Sequence, residues 1–289
     1  MGHNKLWMVD SFTTVPFTGN PAGVLLLQRS LDEQQMIAIA REIGASESAF
    51  IAAEDLERFR VGIRFFTSTQ EVGICTHATI AAFHVLVTEF DAPFGTYEMH
   101  SGGGSFSVTV GGQADHPTIT LKQPDKGLQH ILNTDELCTL AEALGCEVEA
   151  CQEAVVWKAT TPRVLVKMSS KTVLNNLQVD RNLLIALGER LASPGFYCYT
   201  DDGAESPIAA HTRMFNPGSG IDEDPVTGNA AATLALYQRS RGLIVDGGRA
   251  IYAQGEAMSR PGVLAVTVKG PWAYIEGQAT TVWAGSLVD

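Results

Sequence analysis

The sequence predicts an α+β fold made of two similar halves, each wrapping short strands around one apolar helix. Three observations carry that prediction. Residues 78–87 (Ala-Thr-Ile-Ala-Ala-Phe-His-Val-Leu-Val) and 230–240 are helical runs with almost no polar face. A helix apolar all round belongs inside a domain. Much of the remaining chain breaks into short β-like pieces between glycine turns, which suggests a barrel-like shell around each helix. Finally, the order strands, small-residue loop, apolar helix, strands occurs twice, an internal duplication visible in pattern only. The turn-rich Gln123-Pro-Asp-Lys-Gly127 marks the boundary. It separates an N-terminal half over 1–122 from a C-terminal half over 123–271, and a C-terminal strand at about 272–289 is expected to complete the first half.

Taken in order, residues 6–12 form a first strand, ended by Pro16-Phe-Thr-Gly-Asn20-Pro-Ala-Gly23. That stretch is a turn that can double as a ligand loop. A buried strand resumes over 24–28. Ser30-Leu-Asp-Glu33 has capping-box spacing and opens a helix with apolar Met36, Ile37, Ala40 and Ile43, stopped by Gly44. Ala45-Ser-Glu47-Ser-Ala-Phe is a strand with one acid among small residues. By itself Glu47 reads two ways. It is a solvated acid on a strand face, or a general base that substrate can approach because its neighbours are small. Another strand covers 61–67, and Glu71-Val-Gly leads through Ile74-Cys75-Thr76-His77 into the first apolar helix. Strands follow at 96–100, 105–110 and 118–121. In the second half, 134–144 and 180–191 read as outer helices and 155–159, 162–166 and 196–200 as strands. The stretch from Met214 through Asp224-Pro-Val-Thr-Gly228-Asn229 reads as a Gly/Pro-rich loop feeding the second apolar helix. Strands at 250–254, 264–268, 273–276 and 279–283 close the chain. Both loops end on a helix N-terminus, where unpaired N–H groups and the helix field favour anions.

Bulk properties exclude several classes. The formal charge is -12, which argues against nucleic acid or an anionic membrane as partner. Five cysteines without CxxC spacing suggest neither a disulfide framework nor a zinc site. The N-terminus has no apolar signal core, and no apolar run approaches the roughly 18 residues of a membrane span. A soluble, cytoplasmic protein is expected. The histidines lack metal-ligand spacing, so no metal is expected. The Gly102–Gly104 run is followed by β-like alternation instead of a helix, so it is not a dinucleotide loop, and no GxSxG elbow is present.

Several motifs occur in a recognisable order: Asp10-Ser-Phe-Thr, Phe17-Thr-Gly-Asn-Pro-Ala-Gly-Val, Ser46-Glu47-Ser-Ala-Phe, and Arg64-Phe-Phe-Thr with Glu71-Val. Cys75-Thr-His77-Ala-Thr, Ser101-Gly102 and Asp224-Pro-Val-Thr-Gly-Asn-Ala follow. Together they resemble the phenazine biosynthesis PhzF-like proteins, of the diaminopimelate epimerase-like superfamily. The resemblance covers about 8–121 and 213–285. It implies two pseudo-symmetric halves, each a β-barrel-like sheet around a central helix, with the active site between them. It also implies a cofactor-free isomerase, commonly a homodimer. By position, Glu47 falls on the family's catalytic acid/base, and His77 and Asp224 on two further active-site positions. Asn229 stands where the phenazine enzyme has serine, and Thr76 where the family usually has glycine. Thr76 narrows the cleft and Asn229 changes a hydrogen-bonding group, and both point away from the phenazine substrate.

The expected chemistry is a proton shift on a small carboxylate-bearing metabolite, with aromatic and cyclic acids among the candidates. Glu47 is the base, and the N–H groups around Thr76-His77 and Gly228-Asn229 hold the carboxylate. His77 and Asp224 orient substrate or relay a proton. Asn20 offers an amide contact, and Cys75 lines the site. Two alternatives remain at this point. One is a Cys75-dependent epimerase or racemase. The slot pairing with Cys75 in the second half reads as Pro225, which cannot act as a base. The other is a scaffold that binds a ligand or partner without chemistry.

Overall fold

A computed structural model describes residues 4–287. In chain order its strands and helices begin with β1 (Lys5–Ser11), β2 (Asn20–Leu26), α1 (Glu33–Ile43), β3 (Glu47–Asp55), β4 (Arg60–Phe66) and β5 (Glu71–Val72). The central helix α2 (Thr76–Phe90) follows, then β6 (Gly95–Ser101), β7 (Gly104–Gly112) and β8 (Pro117–Pro124). The chain continues with β9 (Gly127–Ile131), α3 (Thr134–Leu144), β10 (Cys151–Lys158), β11 (Pro162–Met168), α4 (Lys171–Asn176) and α5 (Arg181–Arg190). It ends with β12 (Phe196–Thr200), β13 (Ile208–Asn216), β14 (Ile221–Asp224), α6 (Gly228–Ser240), β15 (Arg249–Gln254), β16 (Gly262–Lys269), β17 (Trp272–Gly277) and β18 (Ala279–Ser286). The chain forms two compact units, Met1–Lys122 with Glu276–Asp289, and Gln123–Ile275.

In the first unit β1 pairs antiparallel with both β2 and β18. Strand β2 pairs parallel with β3, so a crossover is needed, and α1 supplies it. Strand β4 pairs parallel with β6, and α2 is that crossover. Every residue of α2 from Thr76 to Val87 is buried, and the helix packs on β1, β2, β3 and β18. An apolar circumference with strands around it is the arrangement the sequence pattern demands. Gly23 shows how closely these layers meet: a Cβ there would lie 2.8 Å from both Ile43 Cδ1 and Ser48 Oγ.

The second unit repeats this order. Strands β10 and β11 are antiparallel, β11 and β12 parallel, β12 and β13 antiparallel, and β13 and β15 parallel. Helix α6 makes the last crossover and packs on β9, β10, β11 and β16. Helices α3 and α5 cover the outside, around buried Leu140, Leu144, Leu184, Leu187 and Phe196. No helix among the described residues is long and apolar enough to cross a membrane.

Three local expectations need correction. The capping box of α1 is Asp32 with Gln35, two residues beyond Ser30 and Glu33; the Asp32 carboxylate accepts from Gln35 N, and Gln35 Oε1 accepts from Asp32 N. Strand β2 begins at Asn20, inside the stretch read as a turn, because Asn20 pairs with Ser11. Met214, Phe215 and Asn216 are the end of β13 and not a loop. Its register against β12 buries Met214 and Phe215 completely.

Candidate active site

The parallel pairing of β2 with β3 sets Glu47 opposite Ala22, at the very start of its strand. Gly44 ends α1 in the left-handed region (φ 74°), leaving two residues before that strand begins. Cys75 is the N-cap of α2, with no side-chain cap bond, and Thr76 and His77 form the first turn. The carbonyl of His77 accepts from Ser11 Oγ at 2.7 Å, which ties this turn to β1.

These elements bring three of the expected residues together. His77 Nε2 lies 3.6 Å from Glu47 Oε2. Cys75 Sγ lies 3.4 Å from His77 Nδ1 and 3.9 Å from Nε2. One donor atom of each of Glu47, Cys75 and His77 falls within 4.8 Å of the others. The Glu47 side chain is 14% exposed and that of His77 7%. Glu47 Oε2 is buried without a hydrogen-bond partner. Burial raises the Glu47 carboxyl above its ordinary range, and the Ser46 hydroxyl lowers it in part. Asn20 is fully buried two residues ahead of Ala22, and Thr76 is buried between Cys75 and His77. The sequence showed no metal-ligand spacing, whereas the fold assembles a carboxylate, a thiol and an imidazole from positions 28 and two residues apart.

Asp224, Gly228 and Asn229 gather in the second unit around the start of α6. Asp224 is buried, and its Oδ2 accepts from Thr227 Oγ1 at 2.5 Å. Gln254 joins both ends of this turn: its Nε2 donates to the Asp224 carbonyl (2.8 Å) and its Oε1 accepts from Thr227 N (3.1 Å). Asn229 Nδ2 donates to Gln123 Oε1 at 3.0 Å. Sequence reasoning missed Arg163, a buried guanidinium at the start of β11. Burial lowers its pKa to about 10, against the pull of the Asp224 charge. A charged residue directly before the apolar run Val164-Leu-Val166 was the available signal.

The two units share a second device. Arg64 on β4 makes a bidentate bond to Glu71 on β5 (2.9 and 2.6 Å), and its guanidinium stacks on Phe66. Arg213 on β13 makes the same bond to Glu223 on β14 (2.8 and 2.8 Å) and stacks on Phe215. Each glutamate stands five residues before the first residue of its central helix. The braces therefore fix how the chain enters both helix N-termini. They also set the correspondence between units: Cys75 matches Thr227, and not Pro225, while His77 matches Asn229. The position corresponding to Cys75 therefore holds a hydroxyl and not a thiol.

The model of the phenazine biosynthesis-like protein family (PhzC-PhzF) matches residues 9–285. An uncharacterized isomerase of Clostridium acetobutylicum is 33% identical over 301 residues, covering 98% of each chain. The crystal structure of a PhzF-family phenazine biosynthesis protein of Enterococcus faecalis superposes with a TM-score of 0.83 at 26% identity, covering 100% of both chains. A hydroxyproline epimerase from Agrobacterium vitis shares the fold, with a TM-score of 0.67 at 13% identity over 98% of this chain and 90% of its own. The epimerase-like architecture read from the motifs is thus the observed one. The chain is an isomerase that belongs to the phenazine biosynthesis-like (PhzC-PhzF) protein family.

Proposed function

We propose that the protein is a cofactor-independent isomerase that moves a proton within a small carboxylate-bearing metabolite, with Glu47 as the acid/base. The observation that supports this best is the Glu47–His77 pair, 3.6 Å apart and buried at the N-terminus of α2. The Glu47 carboxylate takes a proton from an acidic C–H, and the bond's electron pair enters a system conjugated with the substrate carboxylate. First-turn N–H groups of α2 face such developing negative charge. The protonated Glu47 then returns the proton to another carbon of the same system, so atoms and charge balance without an oxidant or reductant. A carboxyl raised by burial is a stronger base once ionised, which suits this task.

The same distances argue against a Glu47/Cys75 two-base route at one carbon. Bases on opposite faces, each about 3–3.5 Å from the carbon, stand about 6–7 Å apart, whereas these donor atoms lie within 4.8 Å. Both reach the substrate from one side. Cys75→Ser is therefore expected to reduce turnover modestly, where a thiol-dependent epimerase would lose it.

The test is turnover of candidate aromatic, cyclic and amino acids in heavy water. Glu47→Gln should abolish both product formation and solvent exchange or intramolecular transfer, with the fold intact by circular dichroism. Undiminished turnover in that variant would end the assignment. Asp224→Asn is the companion variant, with a lowered kcat expected from its position in the family motif. The reading includes a cytoplasmic homodimer. Analytical ultracentrifugation giving a monomer at micromolar concentration would remove that part alone.

A further inference from the structure

We infer that Glu47, Cys75 and His77 also form a three-ligand site for a zinc-type divalent cation. The donor set is a carboxylate oxygen, a thiolate sulfur and an imidazole nitrogen, a combination that zinc and its borderline-soft relatives accept and that magnesium and calcium do not. Geometry agrees with the chemistry. A tetrahedral zinc with ligand bonds of about 2.0–2.3 Å holds its donor atoms about 3.3–3.6 Å apart. Here Glu47 Oε2 to His77 Nε2 is 3.6 Å and Cys75 Sγ to His77 Nε2 is 3.9 Å. One donor atom of each residue lies within 4.8 Å of the other two, so closure needs side-chain shifts of a few tenths of an ångström to about 1 Å.

Burial adds a second reason. Glu47 Oε2 is buried and accepts no hydrogen bond, with His77 Nε2 3.6 Å away, and a buried carboxylate oxygen left without a hydrogen bond is costly. A dication beside one carboxylate and one thiolate makes an electrically neutral cluster, which removes that cost. Cys75 and His77 are supplied by the N-cap and first turn of one helix, and Glu47 by a strand start. All three ligands therefore come from the rigid frame of the first unit. Three protein ligands leave a fourth position open, as in sites that exchange a ligand. A bound cation would occupy the lone pair that Glu47 needs as a base, so zinc would inhibit the isomerase. Only this last consequence rests on the proposed function; the binding itself does not.

The experiment uses the full-length chain stripped with a chelator and titrated with Co2+, a spectroscopic stand-in for zinc. One equivalent should produce a thiolate-to-cobalt charge-transfer band with the visible bands of four-coordinate cobalt, and one equivalent of Zn2+ should displace both. Cys75→Ser should abolish the charge-transfer band, and His77→Gln should weaken Zn2+ binding by more than about tenfold, the least expected when even an outer partner is lost. Cys138→Ser, which removes an exposed thiol, should leave the band unchanged. A missing band, a band that survives Cys75→Ser, or one lost in Cys138→Ser overturns the proposal. Should Cys75→Ser misfold, the His77→Gln affinity decides. Turnover enters none of these measurements, so a failed isomerase assignment and a failed metal site are distinguishable.

Discussion

Glu47 carries a conflict between stability and function. Its carboxyl is buried and its pKa raised above the ordinary 4.5. Between 4.5 and the raised value, the folded protein keeps a proton that the unfolded chain releases. Stability contributed by this group is therefore lost as pH rises through that window, and the cost is constant above it. Glu47→Gln removes the cost. Its melting temperature, measured in chelator at pH 7.5, should exceed that of the wild type, and the gain should vanish near pH 4. For a domain of this size each 1 kcal/mol corresponds to about 2–4 °C. His84 slopes the other way: burial, then the His116 charge, lowers it to about 4, so its charging destabilises the fold in acid. Comparing variant with wild type at each pH cancels that common background. A gain equal at pH 4 and 7.5 would mean that the stabilisation is not the titration of Glu47. Stabilisation with lost activity is the usual signature of a group held strained for function.

At the level of elements, the two arginine braces look alike and should differ in energy. The Arg213 side chain is 10% exposed and that of Glu223 20%, whereas Arg64 is 39% and Glu71 26% exposed. Arg213 also donates to the carbonyls of Leu174, Asn175 and Leu177 at the end of α4. Removing it leaves a half-buried carboxylate and those carbonyl acceptors unpaired, so Arg213→Ala should approach the about 3–5 kcal/mol of a broken buried pair. Arg64→Ala should cost about 1 kcal/mol or less, since water can resolvate Glu71. Denaturant unfolding checks both values. An equal cost would show that exposure does not decide the strength of these pairs. These elements also show what was legible in the sequence. The apolar helices were, because a missing polar face is a local signal. The matching of Arg64-Phe-Phe66 with Arg213-Met-Phe215 was present in the sequence but obscured. Ten residues separate Arg213 from Glu223 and seven separate Arg64 from Glu71, and the Gly/Pro composition around Gly218 drew β13 into a loop. Neither periodicity nor motif spacing joins Glu47 to Cys75 and His77. That contact arises from the parallel register of β2 and β3, a long-range property.

For the molecule as a whole, the order of segments along the chain sets what each unit depends on. The second unit is continuous in sequence, while the first closes only with the last residues of the chain. Strand β18 pairs with β1 along the whole of Lys5–Ser11. Around it, Phe12 N donates to the Gln278 carbonyl at 2.7 Å and Leu287 N to the Asn4 carbonyl at 3.0 Å. Helix α2 also packs on β18. Deleting residues 278–289 therefore leaves one edge of β1 without its ladder and uncovers part of a helix that has no polar face. The second unit keeps every strand of its own order from β9 to β16 and the apolar cluster under α3 and α5. Hydrogen exchange on the deletion variant should show lost protection across residues 4–122, with α2 and β1 affected most, and near-native protection in α3, α5 and α6. Such a pattern follows if each core is its own cooperative unit. Uniform loss over 123–275 would instead show that the continuous unit cannot hold its fold once β18 is gone, and the division of the chain into independently stable cores would be wrong.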